Sequence, residues 1–137
     1  MPNSVTTEGA RLMIAALVAT NPYLALLTGA PTSGLENPTA TDVLAKECAM
    51  GGYTRLRITA WTPDPSASPP FSTNTSHLAG ATTLSGTPVD LTHYALVQSS
   101  SGPTGVIYSV GTLTSTLTPV VGEQLYVPVG SVKVILD

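Results

Sequence analysis

From residue 77 to residue 137 the sequence is a succession of short apolar segments broken by glycine, proline and serine. These segments are residues 77–85, 88–99, 106–117, 125–129 and 131–137. Interruption by turn residues at this spacing is typical of antiparallel β-sandwiches and barrels. Pro128 lies inside the fourth segment and has no amide hydrogen, so this strand is expected to lie at a sheet edge or to break there.

Two more strands are predicted upstream, one in residues 23–34 and one in residues 53–61 (YTRLRITAW). In the second, the apolar residues Leu56, Ile58 and Ala60 alternate with polar ones. Alternation with a period of two places one face against a core and the other against water or a neighbouring protein.

Residues 6–22 predict the one long helix. Thr6 or Thr7 can cap it, and Glu8 lies in the first turn, where the helix dipole favours a carboxylate. Its apolar face is expected to hold residues at helical spacing: Leu12, Met13, Ala16, Leu17 and Ala19. The helix should end before Pro22.

These elements together predict a mainly β protein, an antiparallel β-sandwich of about seven or eight strands with one N-terminal α-helix. A single domain is expected over residues 1–137, with the helix in 1–22 and the sandwich in 23–137. Long loops are expected near 31–52 and 62–76. The second is rich in proline, which a sheet interior does not accommodate.

Shorter features are predicted within this frame. One helical turn is expected near residues 41–50, and a glycine bulge at Gly111 in the strand 106–117. Cys48 has no second cysteine to pair with, so a buried thiol and an exposed loop thiol both remain open.

Residues 90–102 (DLTHYALVQSSSG) hold the side-chain types used in hydrolytic catalysis. Asp90 and His93 are three residues apart, so on a strand they leave opposite faces and cannot pair locally. The serines at 99–101 precede Gly-Pro, where serine is favoured as a turn former. Both faces of this segment are substantially apolar. We therefore predict a central strand and no catalytic residue.

Charged residues make up 9 % of the chain, and the net charge is -3. So few basic groups leave no electrostatic footprint for nucleic acid. Cys48, His77 and His93 are too dispersed for a zinc site. The apolar run at 12–19 is too short to span a membrane and lacks a clean cleavage site for a signal peptide. We predict no metal, cofactor, nucleic acid or membrane partner.

A weakly charged exterior rich in threonine suits a subunit packed among neighbours, and it suits a secreted binding domain equally well. Arg55 and Arg57 share one predicted strand face, where they serve either as partner anchors or as a solvated surface. Trp61 is the best candidate for an aromatic sugar platform, with packing under the 62–76 loop as the alternative. Arg55, Arg57 and Trp61 are the predicted partner-interface residues.

Five pieces of sequence follow the helix in order: ALLTGAPT at 25–32, GGYTR at 51–55, LTHYAL at 91–96, GVIYSVGTL at 105–113 and GEQLYVPVGSVKVILD at 122–137. Taken in this order, they resemble a family of small virion proteins of tailed bacteriophages. The chain departs from that pattern in an insertion at 34–50 and in the proline-rich loop at 62–70.

The resemblance implies a β-sandwich located on virions, without enzyme activity or a cofactor. Made in the host cytoplasm, it would associate with other virion proteins and form a homo-oligomer such as a trimer. We expect a capsid decoration (cement) protein that stabilises the head. The alternatives are a tail-tip or tail-fibre-associated subunit involved in host recognition and, from a different class, a secreted carbohydrate-binding module.

Overall fold

The computed structural model describes residues 6–32, 38–64 and 70–135. In chain order its elements are α1 (Thr7–Val18), β1 (Tyr23–Leu27), α2 (Ala40–Lys46), β2 (Leu56–Arg57), β3 (Trp61–Asp64), β4 (Phe71–Asn74), β5 (Leu78–Thr83), β6 (Leu91–Val97), β7 (Ile107–Leu117), β8 (Gln124–Val127) and β9 (Lys133–Ile135). The predicted class, mainly β with an N-terminal helix, is confirmed.

All strand pairs are antiparallel, and they form three sheets. The largest has the order β2-β1-β6-β7, the second the order β3-β4-β9, and the third pairs β5 with β8. The described residues thus hold nine strands instead of seven or eight, because the stretch predicted as a loop at 62–76 includes β4 and most of β3.

Strand β6 is one of the two central strands of the four-stranded sheet, as predicted from its two apolar faces. It pairs with β1 on one side and β7 on the other. Tyr94 and Leu96 point into the main core, whereas Ala95 and Val97 point to the opposite face. Residues two apart share a face, so this alternation is the one expected for a strand buried on both sides.

The main core lies between the four-stranded sheet and the two smaller sheets in a sandwich-like arrangement. Leu24 and Leu26 of β1 join one cluster with Val127 of β8 and Val134 of β9. The Tyr94 hydroxyl donates a hydrogen bond of 2.8 Å to the Lys133 carbonyl, which links β6 directly to β9. On the other face of the large sheet, Val43 of α2 covers a smaller cluster that contains Leu27.

Helix α1 begins where predicted but buries a different face. The Thr6 side chain accepts the amide of Gly9 and caps the helix. Ala10 and Ile14 are buried, and the partly buried Leu17 and Val18 also pack against the core. Leu12 and Met13 were expected on the buried face but are 56 % and 55 % exposed. The helix is apolar almost all round from Leu12 to Val18, so its own pattern does not select a face; packing does.

Two predicted loops contain regular structure. The helical turn expected near 41–50 is present as α2, which is two turns long and starts with a reciprocal capping box between Thr39 and Asp42. The region 62–76 includes parts of the hairpin strands β3 and β4, while its tip at 65–69 lies outside the described residues. Pro63 is accommodated because β3 is the edge strand of its sheet.

The bulge predicted at Gly111 is wrong. Gly111 pairs in register with Tyr94, and the register shifts occur on either side of it, between Leu91 and His93 and between Leu96 and Val97. A Cβ atom added to Gly111 would lie 2.9 Å from the Tyr94 hydroxyl oxygen and 3.0 Å from its ring. The glycine is therefore needed because the tyrosine ring crosses the β7 backbone at that point.

Replacing Gly111 with alanine should lower the free energy of unfolding by about 1–3 kcal/mol, since the added methyl overpacks a buried ring. Gly29→Ala is the matched control, because a Cβ atom there meets nothing within 4 Å. Urea denaturation of both variants measures the difference. Equal stability of the two variants would contradict the role assigned to Tyr94.

Candidate interaction surfaces

Arg55 lies inside the subunit, contrary to its predicted place on an exposed strand face. It precedes β2, and its side chain is 4 % exposed. The guanidinium binds Glu47 with both arms, Nε to Oε2 at 2.9 Å and Nη2 to Oε1 at 2.8 Å. It also donates to the carbonyls of Ser99 and Gly102, both at 3.0 Å. Arg55 therefore ties the β6–β7 turn to the segment after α2, and a partner would not reach it.

Tyr53 completes this buried polar cluster. Its hydroxyl donates to Glu47 at 2.5 Å and accepts the amide of Leu26 at 3.0 Å. Burial, followed by the neighbouring Glu47 carboxylate, raises the pKa of Tyr53, so the hydroxyl keeps its proton and remains a donor. The cluster is satisfied from within the chain, which is the arrangement of a structural anchor.

Arg57 remains on the surface. Its Nε donates to the carbonyl of Asn21 at 3.0 Å, and its guanidinium carbon lies 5.3 Å from the centre of the Tyr23 ring. These contacts hold the side chain flat along the edge formed by β1 and β2. Of the two arginines that alternation placed together, Arg57 is thus the one available to a partner.

Trp61 opens β3 and is half-buried against the main core. Its Nε1 is buried and has no hydrogen-bond partner among the described residues. A ring in this position does not present the open face that a sugar platform needs, so the packing interpretation fits the structure better.

The residues with hydrolytic side chains have separate local partners. Asp90 accepts a hydrogen bond from Thr118, and His93 lies 2.8 Å from the hydroxyl of Thr92. Ser99 bonds to the backbone of Ser101 within the turn, as its position before Gly-Pro predicts. The structure does not bring these groups together.

Cys48 is buried, and this burial raises the pKa of its thiol. In the part of the chain that the structure describes, no three His, Cys, Asp or Glu side chains form a group able to hold a metal ion. Nor is any helix there long and apolar enough to cross a membrane.

Several large apolar side chains face solvent, and most of them fall into two groups. One contains Met13 of α1 and Ile135 of β9. Met13 and Ile135 line the same cleft. The second group lies within the ten residues around β8: Val120, Val121, Tyr126 and Val129. Grouped exposed apolar side chains mark surfaces where a protein meets a partner.

The subunit is thus β-rich, with a polar cluster satisfied internally and apolar side chains exposed on its surface. A family model described as podophage GP4 fiber I protein gp80 matches residues 12–135. The chain belongs to this family. It is accordingly a structural protein of a tailed-phage virion, and the predicted resemblance to such proteins is confirmed. No curated protein matches the chain.

Sequence reasoning missed the two polar residues that organise the fold, Glu47 and Asn74. Asn74 is 0 % exposed, although it falls in the stretch predicted as a loop. One weak signal pointed to Glu47. An arginine that becomes buried needs a carboxylate as its partner, and the chain has few carboxylates from which that partner can come.

Proposed function

We propose that the protein is a non-enzymatic subunit of the tail-fibre apparatus, where it associates with other virion proteins. The observation that carries this proposal is the match to a fibre protein family over residues 12–135. That match favours a fibre over the capsid decoration protein expected from the sequence. A contribution to host recognition belongs to the same proposal.

The surface supports association with neighbours. Exposed apolar side chains on α1, β9 and β8 would be covered in an assembly, and 9 % charged residues leave little to keep a free monomer soluble. We propose that the neighbours include further copies of the chain. Arg57 and the exposed part of Trp61 are the residues that we propose for polar and aromatic contacts with a partner, and Arg55 is left out because it is bound internally.

The location of the protein on the particle tests the proposal. We expect antibody labelling of purified virions to mark the tail end, and quantitative mass spectrometry to find a handful of copies for each particle. Hundreds of copies spread over the head would overturn the fibre assignment and support capsid decoration.

Replacing Arg57 with alanine should reduce incorporation of the protein into particles several-fold while its thermal unfolding stays unchanged. The side chain is exposed, and surface substitutions usually alter stability by no more than about 0.5 kcal/mol. Lys46→Ala is the matched control, because Lys46 is a basic residue at the end of α2, outside the surfaces proposed for contacts. Normal incorporation of the Arg57 variant would rule this residue out as a partner contact.

A further inference from the structure

Helix α1 is attached to the sandwich by apolar contacts. Ile14 joins the main core together with Val134 of β9, and the partly buried Leu17 packs against the same core. Among the described residues, the side-chain hydrogen bonds of α1 are local, such as those from Arg11 to Glu8. Parts of a subunit that are held by few contacts open at a lower free energy than the core does.

The contact between α1 and the sheets is incompletely filled. A cavity of about 130 Å³ is lined by residues of α1 and β4, among them Ala15 and Phe71. A second opening, the cleft of about 240 Å³ that holds Met13 and Ile135, lies between α1 and the strands β7 and β9. Atoms that line a void lose van der Waals partners, so α1 is bound less tightly than a close-packed core element.

The connection from α1 to β1 is short and strained. The four residues 19–22 join the two elements. Asn21 has a φ of 51°, and it is the one residue other than glycine in the described part of the chain with a positive φ. The chain is anchored again at Pro22, whose carbonyl accepts the amide of Ile58 at 3.0 Å. Short connections under strain favour exchange of the attached element between copies, because opening the connection releases the strain.

We infer that α1 is exchanged between copies of the chain, so that the helix of one subunit packs on the β4, β7 and β9 surface of its neighbour. That surface accepts this occupant, because α1 of the same sequence lies on it within a single subunit. Exchange keeps Ala10 and Ile14 buried. It also brings a second subunit against the helix, whose Leu12 and Met13 are exposed in a single subunit. The exchange rests on the proposed function, in which the neighbours include further copies, and α1 is the element that joins them.

Cross-linking between marked copies tests the exchange. Full-length copies that carry Met13→Cys are produced in the same cells as heavier, tagged copies that carry Ile135→Cys, and the purified protein is treated with a short bismaleimide. Met13 and Ile135 line the same cleft. The two introduced thiols therefore meet where α1 of one copy lies on β9 of another. We expect a covalent species of mixed mass as the main cross-linked product.

Leu12→Cys is the matched control for Met13→Cys, and it should give several-fold less mixed product. Leu12 is exposed on the same helix and is not among the residues that line the cleft. Equal yields from the two positions would reflect chance contact between exposed thiols and would overturn the inference. Oligomers without mixed product would also overturn it, while association of copies would stand. A chain that sediments as a monomer would overturn both the exchange and the proposed association of copies.

The connection between α1 and β1 provides a second test. Asn21→Gly should raise the monomer fraction several-fold in sedimentation velocity, because glycine adopts a positive φ without strain and so favours the closed subunit. Thr20→Gly is the matched control, since Thr20 lies in the same connection and does not have a positive φ. We expect no rise in the monomer fraction for the control. A monomer fraction that Asn21→Gly leaves unchanged would overturn the role assigned to the strained connection.

Discussion

Arg55→Ala is expected to lower the free energy of unfolding by about 3–5 kcal/mol, the cost of removing one partner of a buried ion pair. The substitution leaves the Glu47 side chain, 6 % exposed, without its counter-charge. It also removes the donors to the carbonyls of Ser99 and Gly102. The β6–β7 turn would lose its tether to the rest of the subunit.

Chemical denaturation measures this loss, and Arg11→Ala provides the comparison. Arg11 pairs with Glu8 on the surface of α1, with side chains 38 % and 67 % exposed. Exposed ion pairs are screened by water and contribute little to stability, so the control should remain near the stability of the unmodified protein. Similar small losses in the two variants would show that the Glu47–Arg55 pair does not stabilise the fold.

A double variant separates the ion pair from the packing. In Glu47→Leu/Arg55→Leu no charge is left buried alone, so it should be more stable than Arg55→Leu. Tyr53 and the two turn carbonyls still lose partners, and the double variant should remain below the original protein in stability. If the double variant were less stable than Arg55→Leu, the pair would stabilise the fold mainly through the packing of its side chains and not through its charges.

Asn74→Leu is expected to cost about 3 kcal/mol or more, because three backbone groups lose their partner and each unsatisfied buried group costs about 1–3 kcal/mol. The Asn74 amide nitrogen donates to the carbonyls of Ser76 and Pro128, both at 3.0 Å. Its side-chain oxygen accepts the amide of Val132 at 3.1 Å. Leucine has a similar size but can make none of these bonds.

Thr75→Val is the matched control for this substitution. Thr75 follows Asn74 directly, is exposed, and bonds through its side chain to Thr62 on the neighbouring strand. We expect a change within about 0.5 kcal/mol for the control. If Asn74→Leu were equally mild under thermal and urea unfolding, the 128–132 turn would have to be held by other contacts.

The strands and turns were predictable where the pattern is local. Alternation and turn residues indicated β6, β7 and β9, and the position of Pro128 just after β8 agrees with the expected break. The cap at Thr6 was likewise readable, since a cap depends on residues within one turn. The prolines in residues 62–76 led to the prediction of a loop where the hairpin of β3 and β4 lies. An edge strand tolerates a proline that a central strand excludes.

The candidate surfaces were less predictable because they depend on contacts between distant parts of the chain. Alternation placed Arg55 on the same strand face as Arg57. Arg55 instead donates hydrogen bonds to the carbonyls of Ser99 and Gly102, which lie 44 and 47 residues further along the chain. The stack of His77 on Tyr126 arises from the pairing of β5 with β8, which neither segment encodes alone.

Local sequence was sufficient for the class of fold, because periodicity and turn chemistry act over a few residues. The resemblance to phage virion proteins came instead from five motifs in a fixed order. The tertiary structure decided which arginine faces solvent, which side of α1 is buried and how Asn74 is used. Each of these depends on a polar or apolar group finding its partner across the core, and burial makes the choice of partner energetically decisive.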